Sequence, residues 1–309
     1  MPHHWPLPNP PTQTALLIVT SIFCLTSLTS VTLRFYARRL ARLDLLADDW
    51  FALAALILTL AFNAILLAGT FRNIITNYTQ TTPTAKKYHF ALHLTEILAL
   101  GLIKLCFFSL WNRVFITHPI HHLCSFLIVV ITLWTVAFIL ATIFQCGTHW
   151  NLIWSVDTTS TCTTNPIRST VYTITDLITN ILITIIPIPV IWGLNMWPVK
   201  KIGMLGLYVV GIYLTAASIA RTYVSLVIAY TEERRMYMED FSLLGLWAAV
   251  EVNVGLVVCC VTVVMRGVRE VWADKRKKEF HMLSGVGVGV KNYAGAMGRE
   301  RDKVDSDEG

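Results

Sequence analysis

The sequence predicts an all-α, polytopic membrane protein built as a bundle of seven transmembrane helices. Hydrophobic residues make up 55% of the 309 residues and charged residues only 14%, whereas a soluble domain usually carries about 25% charged residues. The apolar residues gather in stretches about 20 residues long, and most Lys and Arg residues lie in alternate connectors and in the C-terminal tail. The composition excludes a disordered chain, an ordinary cytosolic enzyme and a protein that binds nucleic acid.

Seven apolar stretches are long enough to cross roughly 30 Å of hydrocarbon. They must be helices, because lipid offers the backbone N–H and C=O groups no other partner. Near the end of the fifth stretch, Pro187 and Pro189 predict a kink or an early end, because proline interrupts the helical hydrogen bonds. The predicted spans are residues 14–33, 50–70, 89–111, 123–144, 169–194, 202–227 and 242–265.

The distribution of basic residues predicts the direction of the chain. The connectors 34–49, 112–122 and 195–201 and the tail 266–309 together hold most of the Lys and Arg residues, and the segments on the other side hold fewer. The positive-inside rule places these connectors and the tail in the cytoplasm, so residues 1–13 form a short extracellular N-terminus and residues 14–265 the membrane domain. The first apolar run is long for a signal peptide and is read as a retained helix. The basic stretch 266–278 has an apolar side and predicts a juxtamembrane helix on the anionic inner leaflet.

The predicted outer loops carry two features that suit an extracellular environment. Asn77 begins an Asn-Tyr-Thr glycosylation sequon in the first outer loop. Cys146 and Cys162 bracket the second outer loop and are predicted to form a disulfide within it, with two free thiols as the alternative.

Ionisable residues inside the spans are the main functional candidates, because each is costly in lipid and normally faces the interior of the bundle. The set comprises His93, Glu96 and Lys104 on the third span, Asp176 and Asn180 on the fifth, Arg221 on the sixth, and Trp247 and Glu251 on the seventh. The direction of each helix places Glu96, Asp176, Arg221 and Glu251 at similar depths. Lys104 lies about 12 Å below Glu96 at 1.5 Å per residue, in the inner half, and is expected to be too deep to join them.

Three interpretations of these residues stay open. They form an ion-pair network that fixes helix packing, an outward-opening polar pocket, or a proton relay or acid catalyst. In each case Arg221 needs a carboxylate partner, with Asp176 or Glu251 favoured over Glu96 because helices 5 and 7 flank helix 6 in chain order.

The acidic pair Asp48-Asp49 opens the second span next to Trp50. Carboxylates at a helix N-terminus are satisfied by the free N–H groups and by the helix dipole. The alternative is a role in cytoplasmic signalling.

Several motifs together resemble the fungal rhodopsin-domain integral membrane proteins. They are Arg34-Phe35-Tyr36-Ala37-Arg38 followed by Asp48-Asp49-Trp50, Lys104-Leu105-Cys106 through Arg113, Phe144-Gln145-Cys146 with Trp154 and Cys162, Thr175-Asp176-Leu177, Pro187-Ile188-Pro189, Ser218-Ile219-Ala220-Arg221, and Trp247 with Glu251. Their order and spacing follow the family pattern over roughly residues 30–265.

The resemblance implies a seven-helix fungal membrane protein of the receptor-like Pth type or the satratoxin-cluster type. Such proteins are often described as candidate G-protein-coupled receptors. That description implies the plasma membrane, an external small-molecule ligand and a cytoplasmic G protein, with Arg34, Arg38, Asp48, Asp49 and Arg113 as the cytoplasmic motif.

A retinal protein is excluded because residues 242–265 contain no Lys, and no metal or other cofactor is expected. The alternatives to a sensor are a membrane enzyme of secondary metabolism, such as a proton-initiated cyclase, and a transporter or accessory protein.

Overall fold

The computed structural model describes residues 11–42, 44–75, 83–114, 120–147, 153, 166–186, 198–230 and 241–265. All regular secondary structure in these ranges is helical. Seven long helices are present in these ranges: α1 (Gln13–Leu40), α2 (Ala47–Phe71), α3 (Pro83–Val114), α4 (Ile120–Ile143), α5 (Pro166–Ile185), α6 (Pro198–Tyr230) and α7 (Phe241–Met265). Five of them, α1 to α4 and α7, are long and apolar enough to cross a membrane.

Local chemistry explains where these helices begin and end. Thr12 precedes α1, and its hydroxyl accepts a hydrogen bond of 3.3 Å from the Ala15 N–H. At the start of α2, the Asp49 carboxylate accepts a 3.0 Å bond from the Leu46 N–H. Helix α5 ends at Ile185, as the early end predicted at Pro187 requires, because a residue before proline disfavours the helical conformation; residues 187–194 of the predicted fifth span lie outside the described residues.

Consecutive helices run in opposite directions. We call the end of the bundle at which α1 begins the first end, and the opposite end the second end. Side-chain contacts fix the directions: Gln13–Thr70, His89–Phe241 and Arg168–Ala141 lie at the first end, and Arg34–Asp48, Asn112–Ser125 and Thr184–Gly211 lie toward the second. The odd-numbered helices therefore start at the first end.

The core of the bundle lies along α3 and α7, which are mostly buried, whereas α1 and α4 are mostly exposed. A large apolar cluster joins Val31 of α1, Leu56 of α2, Ile103 of α3 and Leu256 of α7. Close approach of α4 depends on Gly101, where an added Cβ atom would lie 2.5 Å from the Thr135 hydroxyl oxygen. The outward faces of α1 and α4 expose large apolar side chains that suit contact with lipid tails.

A buried amide pair links α2 to α7. Asn63 donates to the Asn253 side-chain oxygen at 2.9 Å, and Asn253 donates back at 3.0 Å. The Ser27 hydroxyl of α1 donates to the same Asn253 oxygen at 2.8 Å. Asn63, Asn253 and Ser27 are fully buried, so three helices are held together at one level by uncharged hydrogen bonds.

Asn63→Ala should lower the free energy of unfolding by about 1–2 kcal/mol, because it removes two interhelical hydrogen bonds and leaves part of Asn253 unpaired. Thermal unfolding in detergent measures the loss. The matched control is Thr59→Val, one turn away on the same face of α2, because the buried Thr59 hydroxyl makes no hydrogen bond within the described part of the chain. Equal losses in the two variants would contradict the assignment.

Several predicted features lie outside the described residues. They are Asn77, Cys162, residues 1–10 and the tail 266–309 with its basic juxtamembrane stretch. Cys146 takes part in a disulfide, and its pairing with Cys162 stays a prediction.

Candidate functional site

The centre of the bundle holds five charged side chains from four helices, which we call the ion cluster. Its members are Glu96 and Lys104 of α3, Asp176 of α5, Arg221 of α6 and Glu251 of α7. Each member is at most 8% exposed. The cluster lies well inside the helices rather than at their ends, so these charges are removed from water.

Arg221 contacts all three carboxylates of the ion cluster. One terminal nitrogen of the guanidinium donates to Glu96, and the other donates to Asp176 Oδ2 at 2.9 Å. The Nε atom lies 3.2 Å from Glu251 Oε2, as an ion pair without hydrogen-bond geometry. The planar guanidinium presents several donors in fixed directions, so one side chain ties α6 to α3, α5 and α7.

Lys104 also belongs to this cluster, and its expected exclusion on grounds of depth was wrong. Its Nζ atom lies 2.5 Å from Asp176 Oδ1 and also contacts the Thr179 hydroxyl. Side chains on a helix lean toward the helix N-terminus. Lys104 on α3 therefore leans toward the first end and Arg221 on α6 toward the second, and both reach Asp176 between them.

Uncharged partners complete the site around Glu251. The Ser218 hydroxyl donates to Glu251 Oε1 at 2.5 Å, and the Asn180 amide donates to the same oxygen. Asn180 also lies 2.7 Å from the Ser218 oxygen. The candidate Asn180 is therefore part of the site, and Ser218 joins it although the sequence reasoning did not single it out.

Aromatic rings enclose the cations. The Arg221 guanidinium carbon lies 5.4 Å from the centre of the Tyr172 ring, and Lys104 Nζ lies 5.0 Å from the Trp134 ring. The Tyr172 and Trp134 rings stack on each other with centres 5.5 Å apart. Cation–π contacts of this kind strengthen when water is excluded. Tyr172 precedes Asp176 by one helical turn, and that spacing is the sequence signal by which it could have been found.

Two further candidates lie one turn from the ion cluster toward the first end. His93 places its Nδ1 atom 3.8 Å from Glu96 Oε2. Trp247 precedes Glu251 by four residues on α7, and its indole N–H is buried with no hydrogen-bond partner among the described residues. In the part of the chain that the structure describes, no group of three or more His, Cys, Asp or Glu side chains is placed to hold a metal ion.

Arg221→Gln should destabilise the protein by about 3–5 kcal/mol, because removing one partner of a buried ion pair leaves uncompensated charge. The control Arg168→Gln removes a hydrogen bond to the Ala141 carbonyl and should cost about 1 kcal/mol. Thermal unfolding of the purified full-length chain compares the two. Similar losses would show that the Arg221 contacts contribute little.

A second charged group closes the second end of the bundle, which we call the Arg–Asp network. It consists of Arg34 and Arg38 of α1 and Asp48 and Asp49 of α2, all nearly inaccessible to solvent. Arg34 contacts Asp48 at 2.6 Å and Asp49 at 2.8 Å, and Arg38 contacts them at 2.7 and 3.1 Å. Two arginines and two carboxylates balance in charge, so the network is neutral as a whole.

The Arg–Asp network also reaches α3 and α7. Arg34 donates to the Cys259 carbonyl at 3.0 Å, and the Cys106 sulfur lies 3.4 Å from the Asp48 carbonyl oxygen. A disulfide joins Cys106 of α3 to Cys259 of α7 at this level. Both cysteines lie within predicted spans, 89–111 and 242–265, and the sequence alone does not indicate that they pair. Arg113, the fifth member of the expected motif, lies half-buried in the last turn of α3.

Arg38→Ala should lower the free energy of unfolding by about 2–3 kcal/mol, because each acid loses one of its two arginine partners. Its neighbour Arg39 is exposed, so Arg39→Ala removes the same charge and should change stability by no more than about 0.5 kcal/mol. Chemical or thermal unfolding in detergent distinguishes the two. If Arg39→Ala is as damaging as Arg38→Ala, the effect comes from net charge and not from the network.

Comparison with known proteins identifies the family. The sequence matches the fungal rhodopsin domain over residues 33–270. The chain belongs to the fungal rhodopsin domain family. The match includes every residue of the ion cluster and of the Arg–Asp network, so both charged groups lie inside the family domain.

One curated relative is similar to part of the chain. It is the polyenoic acids biosynthesis gene cluster protein Ba17b of Metarhizium anisopliae, which is 25% identical over 191 residues. The match covers 58% of this chain and 52% of the relative, so the chain spans about half the length of the curated relative it matches. The comparison with solved structures found no match.

Proposed function

We propose that this fungal rhodopsin domain protein is a seven-span sensor of an external small molecule and that the ion cluster is its responsive centre. In this proposal all seven helices cross the plasma membrane, with the N-terminus outside and the C-terminal tail inside, where a G protein is the proposed partner. The first end of the bundle is then the outer end. Asn77 and the Cys146–Cys162 bridge belong to the outer side, and the tail 266–309 to the cytoplasm.

The single observation that carries the proposal is the contact of Arg221 with carboxylates from three other helices. A ligand that draws one carboxylate away from the guanidinium changes the balance of ion pairs among α3, α5, α6 and α7 together. Buried interactions in a low dielectric are strong, so a small shift in one partner has a large effect on helix packing. A ligand shifts such an equilibrium by its differential affinity for the two arrangements.

The connection to the cytoplasmic side runs along α7. Glu251 of α7 belongs to the ion cluster, and Cys259, two turns further, accepts the hydrogen bond from Arg34. A movement of α7 at Glu251 is therefore expected to alter the Arg–Asp network at the second end. That network is the proposed output, which gives the Asp48-Asp49 pair a signalling role in addition to starting α2.

A membrane enzyme is the second candidate. The curated relative takes its name from a biosynthesis gene cluster, and a buried carboxylate such as Glu251 is the type of group a proton-initiated cyclase uses. A transporter or accessory protein is the third class, and no particular contact favours it over the other two.

One experiment separates the three classes. Cells that produce the full-length chain are exposed to fractions of fungal culture medium, and the thermal stability of the chain is measured in intact cells. A sensor is stabilised by a fraction whose active compound stays unchanged outside the cell. Chemical conversion of the compound, followed by mass spectrometry, would support the enzyme instead, and accumulation inside the cell would support a transporter.

The matched variant for this experiment is Glu251→Gln, which keeps the size of the side chain and an oxygen for Ser218 while it removes the charge. The stabilisation by the active fraction should be lost or strongly reduced in Glu251→Gln. The exposed control Tyr213→Phe should respond as the unaltered chain does. A full response in Glu251→Gln would exclude the ion cluster as the responsive centre.

A further inference from the structure

A second layer of polar side chains lies next to the ion cluster on its first-end side. We call it the neighbouring layer; it consists of His93, Tyr172, Ser225 and Trp247, which stand three or four residues from Glu96, Asp176, Arg221 and Glu251, respectively. Residues at these spacings share a helix face, and four residues rise about 6 Å along the axis. Because α6 runs opposite to the other three helices, all four side chains lie on the same side of the cluster.

Three of these four side chains carry buried polar atoms without a hydrogen-bond partner. The atoms are the Tyr172 hydroxyl, the Ser225 hydroxyl and the Trp247 indole N–H, and none has a partner in the described ranges. Tyr172 is 1% exposed and Ser225 is 5% exposed. Buried polar atoms are nearly always paired in native proteins, by protein groups or by ordered water. Three such atoms on three helices at one level indicate that a bound molecule supplies the missing partners.

The surroundings of Tyr172 are aromatic. Its ring packs edge-on against His93 and Phe138, with centres 5.1 and 5.3 Å away, and stacks on Trp134. The face of Tyr172 already contacts the Arg221 guanidinium, so the rings act on a ligand beside them by excluding water, which strengthens its hydrogen bonds.

The charge of the ion cluster favours a cation. Glu96, Asp176 and Glu251 are three carboxylates, whereas Lys104 and Arg221 supply two permanent positive charges. Glu251 Oε2 in particular accepts no hydrogen bond within the described part of the chain. A cation beside Glu251 would be attracted by this carboxylate when it is ionised, whereas an anion would be repelled.

We propose that the neighbouring layer binds a small organic ammonium compound that also carries an oxygen atom. The ammonium group donates to the hydroxyl oxygens of Tyr172 and Ser225 and is attracted by the carboxylates beneath them. The Trp247 N–H is a donor only, so it binds the oxygen of the ligand. This inference rests on the proposed function and names the chemical class of the external molecule.

The test uses the purified full-length chain in lipid nanodiscs and a set of matched probes. Ethanolamine and tyramine are the ammonium probes; 4-ethylphenol and 3-(4-hydroxyphenyl)propanoate match tyramine in size but are neutral and anionic. A bound ligand stabilises the folded state, so at least one of the two amines should raise the unfolding temperature with saturation. The neutral and anionic probes should not. No saturable effect of either amine, or an equal effect of the uncharged or anionic probe, overturns the proposal.

Two substitutions, each of which removes one proposed hydrogen-bonding group, locate the binding. Tyr172→Phe and Trp247→Phe each remove the proposed hydrogen bond to the ligand and should weaken amine binding by about 5- to 10-fold. Tyr172→Phe removes no hydrogen bond within the described chain, so its unfolding temperature without ligand should stay the same or rise; Trp247→Phe also shrinks the ring and is expected to lower it. The exposed Tyr213→Phe should bind amine as the unaltered chain does. Unchanged amine affinity in both Tyr172→Phe and Trp247→Phe would place any binding elsewhere and overturn the proposal.

The result of the amine-binding test is independent of the result of the sensing test. Amine binding that needs Tyr172 and Trp247, with no response to any medium fraction, would retain the ammonium site and overturn the sensor. A response to a neutral or acidic compound, without amine binding, would retain the sensor and overturn the ammonium site.

Discussion

The structure depends most on the burial of one guanidinium among three carboxylates. Arg221 is 1% exposed and contacts Glu96, Asp176 and Glu251 on three different helices. A charge taken out of water costs several kcal/mol, and the attraction between buried charges offsets this cost only when the geometry is good. The ion cluster is therefore stable only when α3, α5, α6 and α7 are all in place. The same requirement makes the cluster sensitive to any molecule that competes for a carboxylate.

Helix α7 connects the polar layers of the bundle. Within three turns it supplies Glu251 to the ion cluster, Asn253 to the amide pair with Asn63, and the Cys259 carbonyl to Arg34. Together these layers involve six of the helices α1 to α7; α4 is the exception. A rigid helix that contributes to three layers transmits a shift at one of them to the others, which is the physical basis for linking the two ends of the bundle.

The sequence predicted the positions of the helices better than their ends. Hydropathy locates the apolar middle of a span, so the third prediction, 89–111, lies inside α3, which begins six residues earlier at Pro83. Polar residues extend a helix into its terminal turns without changing the apolar average. Only at Pro187 did a residue-level signal indicate an early end, and α5 does end just before it.

The charged residues of the candidate site could be predicted from the sequence. Depth along the helices indicated that Arg221 would meet carboxylates, because an unpaired charge in lipid is costly. Lys104 was misplaced because depth was counted at the backbone, whereas its long side chain leans back toward Asp176. Ser218 and Asn63 are uncharged and common in membrane helices, so the packing of the helices is what assigns them their partners, whereas Tyr172 could have been found by its position one turn before Asp176. The Cys106–Cys259 pair likewise depends on which faces of α3 and α7 meet, and the sequence does not fix those faces.

The most direct test of the central claim is a set of three double-mutant cycles that pair Arg221→Gln with Glu96→Gln, Asp176→Asn and Glu251→Gln. The free energy of unfolding of each single and double variant gives the coupling of each pair. If one guanidinium holds three helices, every cycle shows a favourable coupling of at least about 1 kcal/mol, and the acid substitutions restore part of the stability lost in Arg221→Gln. Additive losses in all three cycles, within about 0.5 kcal/mol, would show that the bundle does not depend on the ion cluster.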